Sequence, residues 1–342
     1  MNSRRLAAPP GGTAGGREGE SGRRADLKLG TIERDGEAHL VVQVGPSHMA
    51  DVTLAARSGL WSQSSLPLSL REVVDAFGAG DRRPLLALAA FAREAQAGRL
   101  PELLDVGHPG VRWLPPLLPP KIIGIGLNYW DHCREQNVEP PRQPVLFPKW
   151  GNALNAHLRP IALPEESDQV DFEAELAVVV GRRASRLDEG EALGAVFGYT
   201  TFNDVTARDF QREGGQWGRG KSQDTFAPMG PWVVTADEIP DPQSLPIRCR
   251  VNGTLYQDSN TREMIFPVRR LLAFISRGIT LYPGDVIATG TPDGVGVFRK
   301  PPVFLRPGDR VEVEIEGIGR LVNPVVAAGE APALEWPARG PR

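Results

Sequence analysis

The sequence predicts a mixed, β-rich α+β protein with a small N-terminal α+β domain followed by a larger β-rich domain. Its 342 residues are enough for one large hydrophobic core or two smaller ones. Gly (38) and Pro (32) together form about a fifth of the chain, which is typical of many short strands joined by tight turns. Helical periodicity is evident before residue 118, whereas from residue 121 to 326 short apolar runs alternate with turn residues.

Charge, hydropathy and cysteine content exclude several classes of protein. A formal net charge of −3 argues against nucleic acid or an anionic membrane as a partner, because such proteins usually carry a basic stripe. No apolar run approaches the roughly 18–20 residues that a membrane span needs. Cys133 and Cys249 cannot form a disulfide framework and belong to no metal-binding motif. We therefore expect a protein of the reducing cytoplasm with no membrane segment.

The N-terminal part divides into a tail and a small domain. Residues 1–26 contain almost no large apolar side chains, so we expect disorder there. The domain spans 27–118 and begins with a hairpin around Asp35-Gly36, a pair that suits a type I′ turn. Two amphipathic helices follow, one after Ser69 and one over 84–97. The proline-rich stretch 115–120 predicts a stiff connector.

The second domain is expected over 119–328, followed by a loose C-terminal tail over 329–342. Tyr282-Pro-Gly-Asp and Arg306-Pro-Gly-Asp are matching turn signals. Each precedes an apolar run, and we predict strands over 287–291 and 311–315.

An acidic strand over 170–180 is the most informative segment. The period of two places Asp171, Glu173 and Glu175 on one face, with carboxylates only about 6–7 Å apart. Their repulsion would be costly in a buried strand, and a divalent cation would relieve it; all-oxygen ligands favour Mg²⁺, Mn²⁺ or Ca²⁺ over Zn²⁺. The alternative is a solvated edge strand whose acidic residues discourage aggregation. The segment alone leaves both interpretations open.

A third carboxylate is expected near the end of the strand that begins at Gly198. Asp204 follows this strand, and a helical pattern begins at Thr206. A carboxylate at a strand–helix junction is well placed to complete a set of metal ligands. The alternative, in which Asp204 or Thr206 caps the helix, is equally good on local grounds.

His132 and Glu135 are three residues apart in a short helical pattern that follows the strand after Lys121. On a helix they share a face, and a carboxylate beside a histidine orients it and raises its basicity, as a general base for water requires. The alternative is an exposed surface pair. Gly124-x-Gly126 lacks the remaining elements of a dinucleotide-binding motif.

The segment 215–222 matches the phosphate-binding pattern G-x-x-x-x-G-K-[ST] in its letters. A phosphate-binding loop must connect a buried strand to a helix, but here a polar stretch precedes it and Pro228 and Pro231 follow it. We therefore reject a nucleotide-binding function. Lys221 remains notable because only five of the 39 basic residues are Lys, and a Lys can present a compact charge with a tunable pKa.

In combination these motifs resemble the fumarylacetoacetate hydrolase superfamily, especially its acylpyruvate hydrolase and oxaloacetate decarboxylase branch. The resemblance covers 121–326 and consists of five motifs in family order. They are Asn128-Tyr129…His132…Glu135, Asp171-x-Glu173-x-Glu175, Asp204-Val-Thr-Ala-Arg-Asp, Gly220-Lys221-Ser222 and Gly290-Thr291-Pro292-x-Gly294-Val-Gly296. Ser259 departs from the pattern, since many relatives have Gly at that position.

The resemblance implies a β-roll or sandwich catalytic domain and a role for each matching residue. Glu173, Glu175 and Asp204 would hold one Mg²⁺ or Mn²⁺ per subunit, with Asp171 supporting them from behind. His132 and Glu135 would activate water, and Lys221 would stabilise enolate charge. The residues implied in binding the substrate are Asn128, Tyr129, Lys149, Gln211, Gly290 and Thr291. A homodimer is also implied.

The reaction expected first is metal-dependent hydrolysis of a C–C bond in an acylpyruvate-like or β-diketo acid. A divalent cation that holds a 2-oxo acid acts as an electron sink, so water attack on the neighbouring carbonyl can expel an enolate. Without water attack the same site would give decarboxylation, hydration or isomerisation of a 2-oxo acid. A non-catalytic protein that binds metal and ligand is the third alternative. The intact His132–Glu135 pair favours hydrolysis.

Overall fold

A computed structural model describes residues 27–100, 103–108, 110–331 and 334–337. The tail predicted at 1–26 lies outside the described residues, as do 332–333 and 338–342 of the predicted C-terminal tail.

The described part of the chain is β-rich, with helices of at most 14 residues. The strands are β1 Lys28–Arg34, β2 Glu37–Val44, β3 His48–Asp51, β4 Leu104–Asp105, β5 Arg112–Leu114, β6 Ile122–Gly126, β7 Val145–Lys149, β8 Leu154–Ala156, β9 Ile161–Ala162, β10 Val170–Asp171, β11 Ala174–Val180, β12 Val196–Asn203, β13 Thr206–Ala207, β14 Ala227–Thr235, β15 Pro246–Val251, β16 Thr254–Asn260, β17 Val286–Ala288, β18 Arg310–Ile315 and β19 Gly319–Val326. The α-helices are α1 Val52–Ser58, α2 Leu70–Gly78, α3 Arg83–Gln96, α4 Trp130–Gln136, α5 Arg208–Arg212, α6 Gly218–Lys221 and α7 Val268–Ser276.

Two large sheets organise these strands. The larger runs in the order β4-β3-β2-β1-β14-β12-β11-β17-β6-β7, with β5 beside β1 and β8 beside β14. The second has the order β16-β15-β18-β19-β9, and β10 pairs with β13 in a short separate ribbon. This arrangement confirms the predicted mixed, β-rich fold class.

The N-terminal elements follow the local signals of the sequence. Asp35 and Gly36 have φ of 54° and 76°, as the type I′ turn between β1 and β2 requires. The Ser69 side chain accepts a hydrogen bond from the backbone N–H of Glu72 and so caps α2. The hairpin and both predicted helices are confirmed.

The N-terminal strands are continuous with the rest of the molecule. β1 pairs antiparallel with β14, with Leu29 opposite Val233. The rings of Phe77 and Phe197 meet edge to face at 5.5 Å, which joins α2 to β12. One hydrophobic core therefore extends from residue 27 into the second half of the chain.

Two strands are shorter than the sequence predicts. The acidic strand is interrupted between β10 and β11, because the backbone N–H of Glu173 donates to the Asn203 side chain (3.0 Å) instead of a neighbouring strand. The strand predicted over 287–291 ends at Ala288. Gly290 has φ of 102°, a conformation that leaves the β region and turns the chain towards Glu175.

None of the helices in the described ranges is long and apolar enough to cross a membrane.

Candidate active site

Three buried carboxylates meet where β11 and β12 lie side by side. Glu175 is on β11, Glu173 immediately precedes it, and Asp204 immediately follows β12. The backbone N–H of Asp204 donates to the carbonyl of Glu173 at 2.9 Å, which brings the two residues together. One oxygen from each carboxylate lies within 4.8 Å of the others, and the three residues are at most 4% exposed. The alternative of a solvated edge strand is therefore wrong.

Two lysines from separate elements contact this cluster. The Lys221 ammonium lies 2.6 Å from Glu173 and 2.7 Å from Asp204, and the Lys149 ammonium lies 2.5 Å from the other oxygen of Asp204. Burial lowers the pKa of Lys149 despite the attraction of Asp204. Burial also opposes the charge of Lys221, but Asp204 and Glu173 outweigh it and raise the pKa of Lys221. Lys221 is thus held as a cation.

Asp171 supports the cluster from behind through an arginine. Its carboxylate accepts backbone hydrogen bonds from Gly296 (2.7 Å) and Val297 (3.0 Å), and it pairs with Arg208 at 2.8 Å. Arg208 also lies 2.7 Å from Glu173. A methyl group on Gly296 would come within 1.9 Å of the Val303 carbonyl, so the close approach that binds Asp171 requires glycine.

Glu175 differs from Glu173 in forming no direct ion pair with a cation of the described residues, although Lys221 attracts it from farther away. Its carboxylate accepts a hydrogen bond from the backbone N–H of Gly290 at 3.0 Å. Burial, Asp204 and Glu173 raise the pKa of Glu175 well above its usual range. A divalent cation would compensate this buried repulsion, and the all-oxygen donor set fits a hard divalent cation. The geometry and the charges of Glu173, Glu175 and Asp204 are thus both compatible with a metal site.

His132 and Glu135 form a hydrogen-bonded pair on α4. His132 Nδ1 lies 3.1 Å from Glu135 Oε2, and Glu135 Oε1 accepts a hydrogen bond from the backbone N–H of Gly294 at 2.9 Å. His132 is 6% exposed and borders the same cavity as Glu173 and Glu175. The alternative of an exposed surface pair is therefore wrong. Because Nδ1 is engaged by Glu135, Nε2 is the ring nitrogen free to act on a water or a substrate.

The cavity has a volume of about 430 Å³, within the range of small-molecule sites. Its polar and charged lining residues are His132, Gln136, Glu173, Glu175, Arg208, Gln211, Arg212, Lys221 and Thr291. Its apolar lining residues are Ile125, Leu127, Phe147, Trp217, Val297 and Phe298, with Gly126 and Gly215 between them. A charged region and an apolar region thus share one space.

Of the residues implied in substrate binding, Gln211 and Thr291 border the cavity. The side-chain oxygen of Gln211 accepts a hydrogen bond from the Arg208 guanidinium at 3.1 Å, and the Thr291 hydroxyl accepts one from the Gln257 side chain at 2.8 Å. Neighbouring groups therefore orient both side chains.

The other four are not among the described residues that border the cavity. Asn128 is used in positioning backbone: its amide donates to the carbonyls of Phe266 and Thr289. Gly290 donates its N–H to Glu175, and Lys149 acts on Asp204. Tyr129 is fully buried, and its hydroxyl has no hydrogen-bond partner in the described structure.

The segment 215–222 has a different structure from a phosphate-binding loop. It follows α5 rather than a strand, and α6 ends at Lys221 after a single turn. α5 begins after Ala207 without a side-chain cap, so the alternative role of Asp204 or Thr206 as an N-cap is wrong.

Sequence reasoning did not assign a role to Arg208 or Trp217. Arg208 lies within the Asp204-Val-Thr-Ala-Arg-Asp motif, and an Arg between two acidic residues of that motif was a usable signal. The contact of Trp217 with Phe147 on β7 joins residues distant in sequence, and no local motif predicts it.

These features define an enzyme of the fumarylacetoacetate hydrolase type. The model of the fumarylacetoacetate hydrolase C-terminal family matches residues 121–326, and the chain belongs to this family.

Known relatives agree with this assignment. The chain is 49% identical over 243 residues to the mitochondrial oxaloacetate tautomerase FAHD2B of Bos taurus, covering 70% of this chain and 76% of the relative. Its fold is similar to that of a fumarylacetoacetate hydrolase from Exiguobacterium antarcticum, with a TM-score of 0.72, 38% identity, and coverage of 88% of this chain and 99% of the other. A 2-hydroxyhepta-2,4-diene-1,7-dioate isomerase from Mycobacterium marinum is also similar, with a TM-score of 0.64, 32% identity, and coverage of 89% and 100%.

Proposed function

We propose that this enzyme is a divalent-metal-dependent hydrolase that cleaves a C–C bond in an acylpyruvate-like or β-diketo acid. The observation that carries the proposal is the hydrogen-bonded His132–Glu135 pair, whose histidine borders the same cavity as Glu173, Glu175 and Lys221. An oriented imidazole beside an oxygen-ligand metal site is what activation of a water requires.

Glu173, Glu175 and Asp204 would hold Mg²⁺ or Mn²⁺. The bound ion would polarise the 2-oxo group of the substrate and stabilise negative charge that develops on it. Counted in their ionised forms, the four acidic residues 171, 173, 175 and 204 and the three cations 149, 208 and 221 sum to a formal charge of −1. A bound divalent cation would make this sum positive and so favour binding of a carboxylate.

Each residue of the site has a separate role in the proposed hydrolysis. His132 Nε2 accepts a proton from water, and the water oxygen forms a bond to the 4-carbonyl carbon of the substrate. The bond between C3 and C4 breaks, and its electron pair becomes part of the pyruvate enolate. Lys221 stabilises the enolate charge, and the proton that His132 took from water is returned to C3, which gives pyruvate beside the new carboxylic acid. Gln211 and Thr291 would hold the substrate's carboxylate.

A second candidate function is tautomerisation or decarboxylation of a 2-oxo acid such as oxaloacetate. The names of the relatives favour it, since they include oxaloacetate tautomerases and an isomerase. Both functions need the same enolate stabilisation, but only hydrolysis needs attack by water.

The test uses acetylpyruvate and oxaloacetate with Mn²⁺-loaded enzyme. For hydrolysis we expect pyruvate and acetate in equal amounts. His132→Ala should lower this rate about 10²–10⁴-fold, a usual range for loss of a general base. The matched control is His48→Ala, which removes an exposed histidine in the N-terminal half. Metal-dependent binding of oxalate, a mimic of the pyruvate enolate, checks that each variant keeps its site.

Three other results would contradict the proposal. Oxaloacetate tautomerisation or decarboxylation without cleavage of acetylpyruvate would favour the second function. Oxalate binding without turnover of any 2-oxo or 1,3-diketo acid would favour a non-catalytic binding protein. Hydrolysis that is unchanged in His132→Ala would remove the assigned role of the pair.

A further inference from the structure

The apolar part of the cavity wall begins directly beside the charged part. The Lys221 ammonium lies 5.0 Å from the centre of the Phe147 ring, within cation–π range. Phe147 in turn meets Trp217 edge to face at 5.4 Å. An aromatic surface formed by Phe147 and Trp217 therefore adjoins the Lys221 ammonium.

Trp217 occupies space that only a glycine leaves open. A methyl group on Gly126, at the end of β6, would come within 2.3 Å and 2.6 Å of two carbons of the Trp217 six-membered ring. Position 126 thus determines where the indole can lie. Gly126 has no positive φ, so its backbone conformation is compatible with alanine. The added methyl group would instead displace the Trp217 indole.

The cationic side chains that border the cavity already have partners. Arg208 and Lys221 are already paired with buried carboxylates. Arg212 borders the cavity from an exposed position, where it donates a hydrogen bond to Gln169. A second carboxylate on the substrate would find Arg212 only at the cavity mouth, whereas a hydrocarbon group would match the aromatic wall.

We propose that Trp217 is a specificity-determining residue that limits the length of an uncharged acyl group on the 2-oxo acid substrate. This inference rests on the proposed function and deepens it. The acyl chain extends along Phe147 and ends against the Trp217 indole, so the volume of the residue pair at positions 126 and 217 sets the longest chain accepted.

The experiment compares straight-chain acylpyruvates of increasing length with oxaloacetate, using Mn²⁺-loaded full-length enzyme. The readout is the ratio of kcat/KM between long and short chains. This ratio is informative because Lys221 donates its backbone N–H to the Trp217 carbonyl, and any displacement of Lys221 affects all chain lengths alike. Calorimetric binding of straight-chain 2-oxo acids, which lack the 4-carbonyl and cannot be cleaved, gives a second readout without turnover.

Two substitutions should shift the preference in opposite directions. Trp217→Ala should favour longer chains, with the long-to-short ratio rising at least about tenfold, the effect of a methylene in a hydrophobic pocket. Gly126→Ala should push the indole into the cavity and favour shorter chains. The double variant Gly126→Ala with Trp217→Phe should recover part of the original preference, because Phe is smaller than Trp. Gly278→Ala, where a methyl group meets nothing within 4 Å, is the matched control.

An unchanged chain-length ratio in both Trp217→Ala and Gly126→Ala would overturn the inference. So would a wild-type preference for oxaloacetate over every hydrocarbon acylpyruvate, although the proposed enolate chemistry would then still stand. Failure of all 2-oxo acids to bind would instead overturn the proposed function, and the inference with it.

Discussion

Glu173 and Glu175 lie two residues apart, but their surroundings move the two pKa values in opposite directions. Burial raises both, yet Lys221 and Arg208 outweigh it at Glu173 and lower that pKa to about 2. At Glu175 burial is reinforced by the neighbouring carboxylates Asp204 and Glu173. The lysines and Arg208 therefore stabilise two of the three carboxylates, and Glu175 is the one whose ionised form would gain most from a bound cation.

Substitution of Glu175 by Gln should separate metal binding from folding. Gln keeps an oxygen to accept from Gly290 but removes the buried carboxylate, so we expect the metal-free variant to be at least as stable as the wild type. Saturating Mn²⁺, at 100 times its Kd, should stabilise the wild type by about 2.7 kcal/mol and the variant not at all. Thermal unfolding with and without Mn²⁺ measures both.

The exposed residue Glu166 provides the control, because Glu166→Gln should respond to Mn²⁺ as the wild type does. An equal metal-induced rise in Tm for Glu175→Gln would show that Glu175 is not a ligand.

Local sequence rules could predict part of this arrangement. The period of two in a strand placed Glu173 and Glu175 on one face, and the strand–helix junction drew attention to Asp204. The side chains that pair with these carboxylates could not be predicted in the same way. Lys149 and Asp204 are 55 residues apart, and their contact depends on how several strands align. Such a register is set by the whole sheet and not by any short motif.

Helix α4, which carries the His132–Glu135 pair, is only seven residues long. A helix of this length is not stable alone, so its position depends on contacts with its surroundings. Ser259 on β16 donates a hydrogen bond to Asp131, which lies in the first turn of α4. Asp131 also accepts from the backbone N–H of His132 at 2.7 Å. Together with the bond from Gly294 to Glu135, these contacts fix the helix at both ends.

Loss of the Ser259 hydroxyl should therefore impair catalysis without affecting the metal site. We expect Ser259→Ala to lower kcat about tenfold, because Asp131 loses a partner and the first turn of α4 becomes less ordered. Mn²⁺-dependent oxalate binding should stay unchanged. Faster hydrogen exchange over 130–136 would provide an independent measure of the loosened helix.

Ser259→Thr, which keeps the hydroxyl, should retain most of the activity, and Ser244→Ala removes a hydroxyl with an exposed hydrogen bond as a control. A wild-type kcat in Ser259→Ala would mean that α4 is positioned without this bond.

At the scale of elements, the sequence was most informative where a local rule decides the structure. The Asp35-Gly36 turn and the Ser69 cap are of this kind. No local rule predicts the interruption of the acidic strand, because side chains distant in sequence replace the hydrogen bonds that a neighbouring strand would make. Asn203 accepts from the N–H of Glu173, and Gln257 accepts from the N–H of Ala174 at 2.8 Å. Sequence alone does not reveal such partners.

The whole molecule shares one core between its N-terminal part and the family-matched part. Thr31 of β1 donates to the carbonyl of Pro116, and the rings of Trp113 and Trp232 meet at 5.1 Å. Removal of residues 1–118 would expose the edge of β14 that β1 covers and the apolar surface beneath α2.

We therefore expect a chain of residues 119–342 to aggregate or to lack a cooperative unfolding transition, although it contains every proposed ligand and catalytic group. Solubility and calorimetric unfolding, compared with the full chain, measure this. A soluble 119–342 chain that unfolds cooperatively and responds to Mn²⁺ would show that the catalytic part folds independently.

His157 links the stability of the whole molecule to pH. Its ring meets Trp113 edge to face at 5.6 Å, and its Nδ1 accepts a hydrogen bond from the backbone N–H of Val322 at 3.1 Å. Burial, with a smaller contribution from Arg320 and Arg310, lowers the pKa of His157 from 6.5 to about 3. Protonation of Nδ1 would also remove the acceptor for Val322, so the folded state requires the neutral ring.

The sign of the pH effect follows from which state binds the proton. Above pH 6.5 the ring is neutral in both states, and its contribution to stability is fully present. Between pH 6.5 and about 3 the unfolded chain binds a proton that the folded protein does not, so stability falls as the pH falls. At about 1.4 kcal/mol per pH unit, protonation of His157 in the unfolded chain should lower the free energy of unfolding by about 2 kcal/mol at pH 5.

The variant His157→Gln keeps a hydrogen-bond acceptor but cannot titrate, so it should lose less stability between pH 7 and pH 5 than the wild type. The control His48→Gln should lose as much stability as the wild type. Denaturant unfolding at pH 7 and pH 5 measures the difference, and parallel losses in wild type and His157→Gln would show that other groups determine the acid sensitivity.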